Sequence, residues 1–183
     1  MEIKNYGYIK PKLEGDHYIF GGLASLPKVI IQPDRNWEKF LPIYEPQFNE
    51  FFDSYGCTAW GSENAIETLE KHLTGKEPNY SERFIYILVP IIPPGADPHK
   101  VAETIRKNGL INDNLLPMIS SYSEFLKPNP MTDEFIKYGK EWGYEFGHEW
   151  VFVNNPSKER RIALFRECLQ YSPLCVSVTA WRK

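Results

Sequence analysis

No apolar run in this sequence is long enough to cross a bilayer. The most hydrophobic stretch, Ile85-Tyr86-Ile87-Leu88-Val89-Pro90-Ile91-Ile92, is short and broken by proline, whereas a helical span needs about 20 predominantly apolar residues. The opening residues, Met1-Glu2-Ile3-Lys4-Asn5, lack the basic segment, apolar stretch and small-residue cleavage site of a secretory leader. The expectation is a cytoplasmic protein without a membrane partner. Clustered basic charge is equally scarce: 21 Lys and Arg against 24 Asp and Glu leave a net charge of -3, which argues against nucleic acid as a partner because phosphate binding needs Lys and Arg gathered on one face. Cysteine is sparse. The three, at 57, 168 and 175, form no Cys-x-x-Cys pair and have no histidine at ligand spacing, so neither a disulfide framework nor a structural metal is expected, and no cofactor is implied.

What remains is an ordinary globular composition. The 183 residues are 42% hydrophobic and 25% charged, enough for a single domain spanning 1–183 with a sizeable core. Residues 1–52 have no long helical period; short β-type runs at Tyr18-Ile19-Phe20 and Val29-Ile30-Ile31 between Gly and Pro read as an extended, loop-rich arm. From Thr58 to Thr74 the period becomes helical, with Ser62, Ile66, Leu69 and Leu73 on one stripe, Gly75 as the stop and Asp53 or Ser54 as the cap. A second helix is bounded by the cap Asp97, by Pro98 and by Gly109. Ser81–Val89 reads as a helix or a buried strand, 132–142 as a short helix, Trp150–Val153 as a weak strand, and the segment opened by Asn155-Pro156 as a helix with Ile162, Phe165 and Leu169 on one face. Leu174–Ala180 is the clearest strand pattern in the chain.

Cys57 falls at or inside the first turn of the helix that follows it. A thiol becomes a good nucleophile as the thiolate, and a helix N-terminus favours the thiolate with its unpaired N–H groups and the positive end of its dipole. The same N–H groups can receive the oxyanion of a tetrahedral acyl intermediate. A small buried cysteine is the competing explanation.

The stretch Tyr55-Gly56-Cys57-Thr58-Ala59-Trp60-Gly61-Ser62-Glu63-Asn64-Ala65-Ile66-Glu67 resembles the nucleophile helix of papain-like cysteine peptidases, with Thr58 in place of the usual aromatic. In the same order follow Pro94-Gly95-Ala96, similar to the family's glycine-rich segment, the helix to Gly109, and Leu169–Val178, similar to the helix end and Val-rich strand that precede the family's histidine. The resemblance implies an α+β papain-like fold, with 1–52 as an arm and 53–183 as a helix-rich core against an incomplete antiparallel β portion. It implies thiol-dependent hydrolysis of peptide bonds, with Cys57 as nucleophile and Gly95 and Ala96 as the main-chain edge that pairs with a peptide or protein substrate. Gln47 is the candidate oxyanion donor. Its spacing of ten residues from Cys57 exceeds the family's and requires the loop between them to bulge. Ser54 stands where secreted members carry a cysteine, which agrees with a reducing compartment.

The family's histidine and asparagine follow the cysteine by roughly 130 to 150 residues, beyond Lys183. The expectation is therefore an N-terminal portion of such a peptidase, inactive alone; the alternative is a non-enzymatic papain-like protein that binds a peptide or subunit. Among the four histidines, His148 with Asn154 and Asn155 nearby offers a rearranged Cys57/His148 site. His72 lies too far along the helix, and His17 and His99 have no supporting context. The strand Leu174–Ala180, without natural neighbours, makes self-association through that edge a further expectation.

Overall fold

Helix α1 (Cys57–Thr74) organises the molecule, and its limits follow from the two glycines that flank it. Gly56 precedes the first turn, and Gly75 ends the helix in the left-handed conformation, φ 69°, where its N–H reaches the Lys71 carbonyl at 2.9 Å. The expected side-chain cap is not made. Asp53 and Ser54 act before the helix: Asp53 Oδ1 accepts from the Tyr55 N–H at 2.9 Å and Ser54 Oγ from the Gly56 N–H at 3.1 Å. These bonds shape a turn that holds Tyr55 at φ 57°, and they displace the helix start to Cys57.

The computed structural model describes residues 7–8, 19–20, 29–89, 91, 95–125, 127, 132–142, 147–151 and 157–177. After α1 comes α2 (Glu82–Leu88), capped by Ser81, whose Oγ accepts from the Phe84 N–H; the ambiguous apolar run is thus a helix. Helix α3 (Pro98–Asn108) begins at the Asp97 cap and stops at Gly109, as its sequence predicts. Beyond it lie the short α4 (Tyr122–Phe125), α5 (Asp133–Trp142) and α6 (Lys158–Cys168), the last capped by Ser157. Asn155 and Pro156, read as the opening of that helix, lie outside the described residues, and Ile162 on its expected apolar face is exposed.

The core forms where α1, α2 and α3 meet. Ala59 and Trp60, Phe84, Ile85 and Tyr86, and Val101 and Ile105 are buried there with Leu110, Leu116 and Phe125, each large side chain contributing about 1.5–3 kcal/mol by leaving water. Gly139 lets α5 close on this core, because a Cβ there would stand 2.4 Å from the Asn108 carbonyl oxygen. The arm from 29 to 40 is tied to the end of α6: Ile31 and Gln32 donate to the Gln170 carbonyl, and Trp37 Nε1 donates to that of Leu169 at 2.8 Å.

The β content differs from the expectation. Among the described residues the paired strands are β1 (Gly7–Tyr8) and β2 (Gly95–Ala96), and they run parallel. Antiparallel pairing among the described residues is confined to the isolated bridges Phe48–Asp53 and Tyr80–Asn112. Val29–Ile31 forms no strand. Trp150 makes a single parallel bridge to Ile19, and Phe152 and Val153 lie outside the described residues. The predicted strand Leu174–Ala180 pairs with nothing over 174–177, and the remainder lies outside the described residues. The reason is local: this segment runs against α1, with the Cys175 sulfur 3.0 Å from where a Cβ on Gly61 would be. A helix has no free main-chain groups along its side to pair a strand. No helix is long and apolar enough to cross a membrane among the described residues.

Candidate active site around Cys57

Cys57 is the first residue of α1, half-buried, and opens into a cavity of about 570 Å³. One wall is the apolar segment Leu41–Phe48; the floor is the α1 stripe Cys57, Trp60 and Asn64. Trp60 fixes the turn before Cys57, because its ring atoms stand 2.4 and 2.7 Å from the position of a Cβ on Gly56. Residue 56 is glycine for that close approach.

Gln47 lines the same cavity. The long spacing is absorbed by a tight turn: Asn49 Oδ1 accepts from the N–H groups of Phe51 and Phe52 at 2.8 and 3.0 Å, Phe48 bridges to Asp53, and the Ser54 N–H donates to the Gln47 carbonyl at 3.1 Å. The chain doubles back and brings Gln47 beside Asp53, to whose Oδ1 its Nε2 donates at 3.3 Å.

The protonation state of Cys57 runs against the sequence expectation. Burial pushes the thiol up to about 11, and the Cys175 thiol and the Asp53 carboxylate add to the rise, while the Thr58 N–H facing the sulfur opposes it. A place at a helix start favours a thiolate, but here desolvation and acidic neighbours outweigh it. At neutral pH the group is a thiol.

The other expected residues are distributed differently. Gly95 and Ala96 form β2, and that edge is taken by the chain's own β1, in the register Gly7–Gly95 and Tyr8–Ala96. Gly95 has φ 141°, a backbone region open to glycine. His148 is not brought to Cys57. It stands 3.6 Å from Glu103 of α3, with its ring edge-on to those of His99 and Trp150, and it is not among the residues lining the cavity. Asn154 and Asn155 lie outside the described residues, as does His17. His72 packs between the rings of Trp37 and Phe40 and meets the Ile31 carbonyl at 3.2 Å, a structural position. No group of acids, cysteines and histidines able to hold a metal occurs among the described residues.

Two neighbours of the thiol were not anticipated. Asp53 acts on it electrostatically and shapes the turn before it; the signal was the Asp-Ser-Tyr-Gly order of a tight turn. Cys175 reaches it from the far end of the sequence, which no local pattern could announce. No family model matches the chain, and neither does any curated protein or solved structure.

Proposed function

We propose that Cys57 is the nucleophile of a papain-like cysteine peptidase site, with Gln47 as oxyanion donor and the Gly95–Ala96 edge, once β1 has left it, as the rail for an extended peptide. The observation that carries this reading is the convergence of Cys57, at the first turn of an 18-residue helix, with Gln47 on one open cavity. In the reaction the sulfur adds to a peptide carbonyl, the Gln47 amide and the helix N–H groups receive the oxyanion, the amine departs with a proton, and water releases the acyl group from the thioester. A base must take the thiol proton and then, as an acid, return it to the departing amine. No imidazole lines the cavity among the described residues, and a thiol held near 11 gives up its proton poorly. This chain by itself is expected to turn over very slowly.

That same observation favours a second reading, a non-enzymatic papain-like protein that holds a peptide or subunit in the cleft. A peptidyl chloromethyl ketone tests the shared premise. It should alkylate Cys57 far faster than chloroacetamide at the same pH, with Cys168 and Cys175 as internal comparators by mass spectrometry. Equal rates would remove the peptide site. Hydrolysis of a peptide anilide, abolished by Cys57→Ala, would then support the enzyme; peptide binding without hydrolysis would support the second reading.

A further inference from the structure

Four segments bring carboxyl groups to one spot beside the Cys57 cavity. Glu63 and Glu67 come from successive turns of α1, Glu82 opens α2, Asp113 lies in the short 3-10 turn after α3, and Glu45 belongs to the Leu41–Phe48 wall. Glu63 is 1% exposed, and neither of its carboxyl oxygens has a hydrogen-bond partner. It faces Glu82, Glu67, Glu45 and Asp113. Glu82 faces Glu45, Glu67 and Asp113, while Glu67 also faces Glu70 and Glu77.

Little in the surroundings offsets this charge. The Tyr80 N–H donates to Glu67 at 2.9 Å and the Asn79 amide to Glu45 at 3.0 Å. Glu70 accepts from the Tyr80 hydroxyl. Lys71 is committed at the rim, 2.5 Å from Glu77 and 3.0 Å from the Leu41 carbonyl. Carboxylates crowded in a buried site without a cation cannot all remain ionised; some must carry protons.

We propose that these carboxyl groups form a proton-operated latch on the cavity wall: protonated, they hold Glu45 and its segment against α1 and α2, and on losing their protons they repel it. The segment that moves carries Gln47, two residues further on, and walls the cavity into which Cys57 opens. Burial raises the affinity of Glu63, Glu67 and Glu82 for protons, placing Glu67 at about 7 and Glu82 at about 8, so release begins near neutrality and extends into the mildly alkaline range. The latch goes beyond the peptidase reading and holds whatever Cys57 attacks.

The test uses limited cleavage of the full chain by chymotrypsin after Tyr44 and Phe48, both exposed in the wall. Rates are divided by those on the free peptide of residues 41–50 at each pH, and compared with cleavage after the buried Phe84 to remove global unfolding. Between about pH 6.5 and about pH 9 the corrected rate should rise about tenfold, the factor carried by one pKa unit. In Glu45→Gln, a change on a half-exposed loop that leaves the core intact, the rise should largely vanish, and in Glu63→Gln it should shrink. A corrected rate that stays flat in the native chain, or that rises equally in Glu45→Gln, overturns the latch. Suppression of the rise by millimolar Ca²⁺, which binds ionised carboxylates and cancels their repulsion, would support repulsion between these groups as the cause.

Discussion

Two stripes of α1 meet burial in the same way and to opposite ends. On the cavity side, Cys57 is half-buried beside Asp53 and Cys175, and desolvation keeps its sulfur protonated. On the adjoining stripe, Glu63 and Glu67 are buried against α2, and desolvation keeps carboxyl groups protonated. Neutrality silences the first stripe, because a thiol is a weak nucleophile. It secures the second, because a neutral carboxyl group can be buried at a cost that ionised neighbours could not meet. One helix thus joins a reactive group held at rest to a structural group that depends on being uncharged.

The largest expected effect tests the carboxyl stripe. Glu67 has an ordinary value of 4.5 and is held at about 7 in the fold, so between these values the folded chain retains a proton the unfolded chain has released. Stability is therefore fullest below about 4.5 and falls as pH rises through 7, by on the order of 3 kcal/mol from this group. Urea unfolding across pH checks it, and stability that climbs from pH 5 to 9 would break the comparison. The next effect concerns the thiol stripe. Alkylation of Cys57 by iodoacetamide should climb about a hundredfold between about pH 8 and about pH 10, whereas an ordinary thiol levels off near 8.5. Asp53→Asn should speed the reaction a few-fold at the lower pH by removing a neighbouring charge.

A smaller effect asks whether the turn before Cys57 is as tightly packed as its atoms indicate. Gly56→Ala drives a methyl group into the Trp60 ring and should cost about 1–3 kcal/mol in the urea midpoint. An unchanged midpoint would mean that the turn yields freely. The smallest effect concerns the edge. Tyr8→Pro removes a main-chain donor from β1 and should cost less than about 1 kcal/mol, while raising the affinity of the Gly95–Ala96 edge for an extended peptide measured by fluorescence anisotropy.

Legibility from sequence followed how local the cause was. The limits of α3 could be read because Asp97, Pro98 and Gly109 act on their own backbone, and the end of α1 because Gly75 does the same. The caps read from the sequence, Asp53 or Ser54, put the start of α1 two or three residues early, since both hydrogen-bond into the preceding turn instead of into the helix. The position of Gln47 depends on Asn49 folding the loop back, a device visible in the sequence but not decisive there. The state of Cys57 was misread because desolvation is a property of the packed molecule, and a helix start supplies just one of the competing influences. Leu174–Ser177 looked like a strand because its residues suit a pleated surface; pairing requires a neighbour, and the neighbour provided is the side of a helix.

The pairing of β1 with β2 has a further consequence. Two residues of the arm rest on two residues of the edge, Gly7 on Gly95 and Tyr8 on Ala96. A contact this brief rests on so few main-chain pairs that the arm is expected to lift from this edge well before the helical core opens.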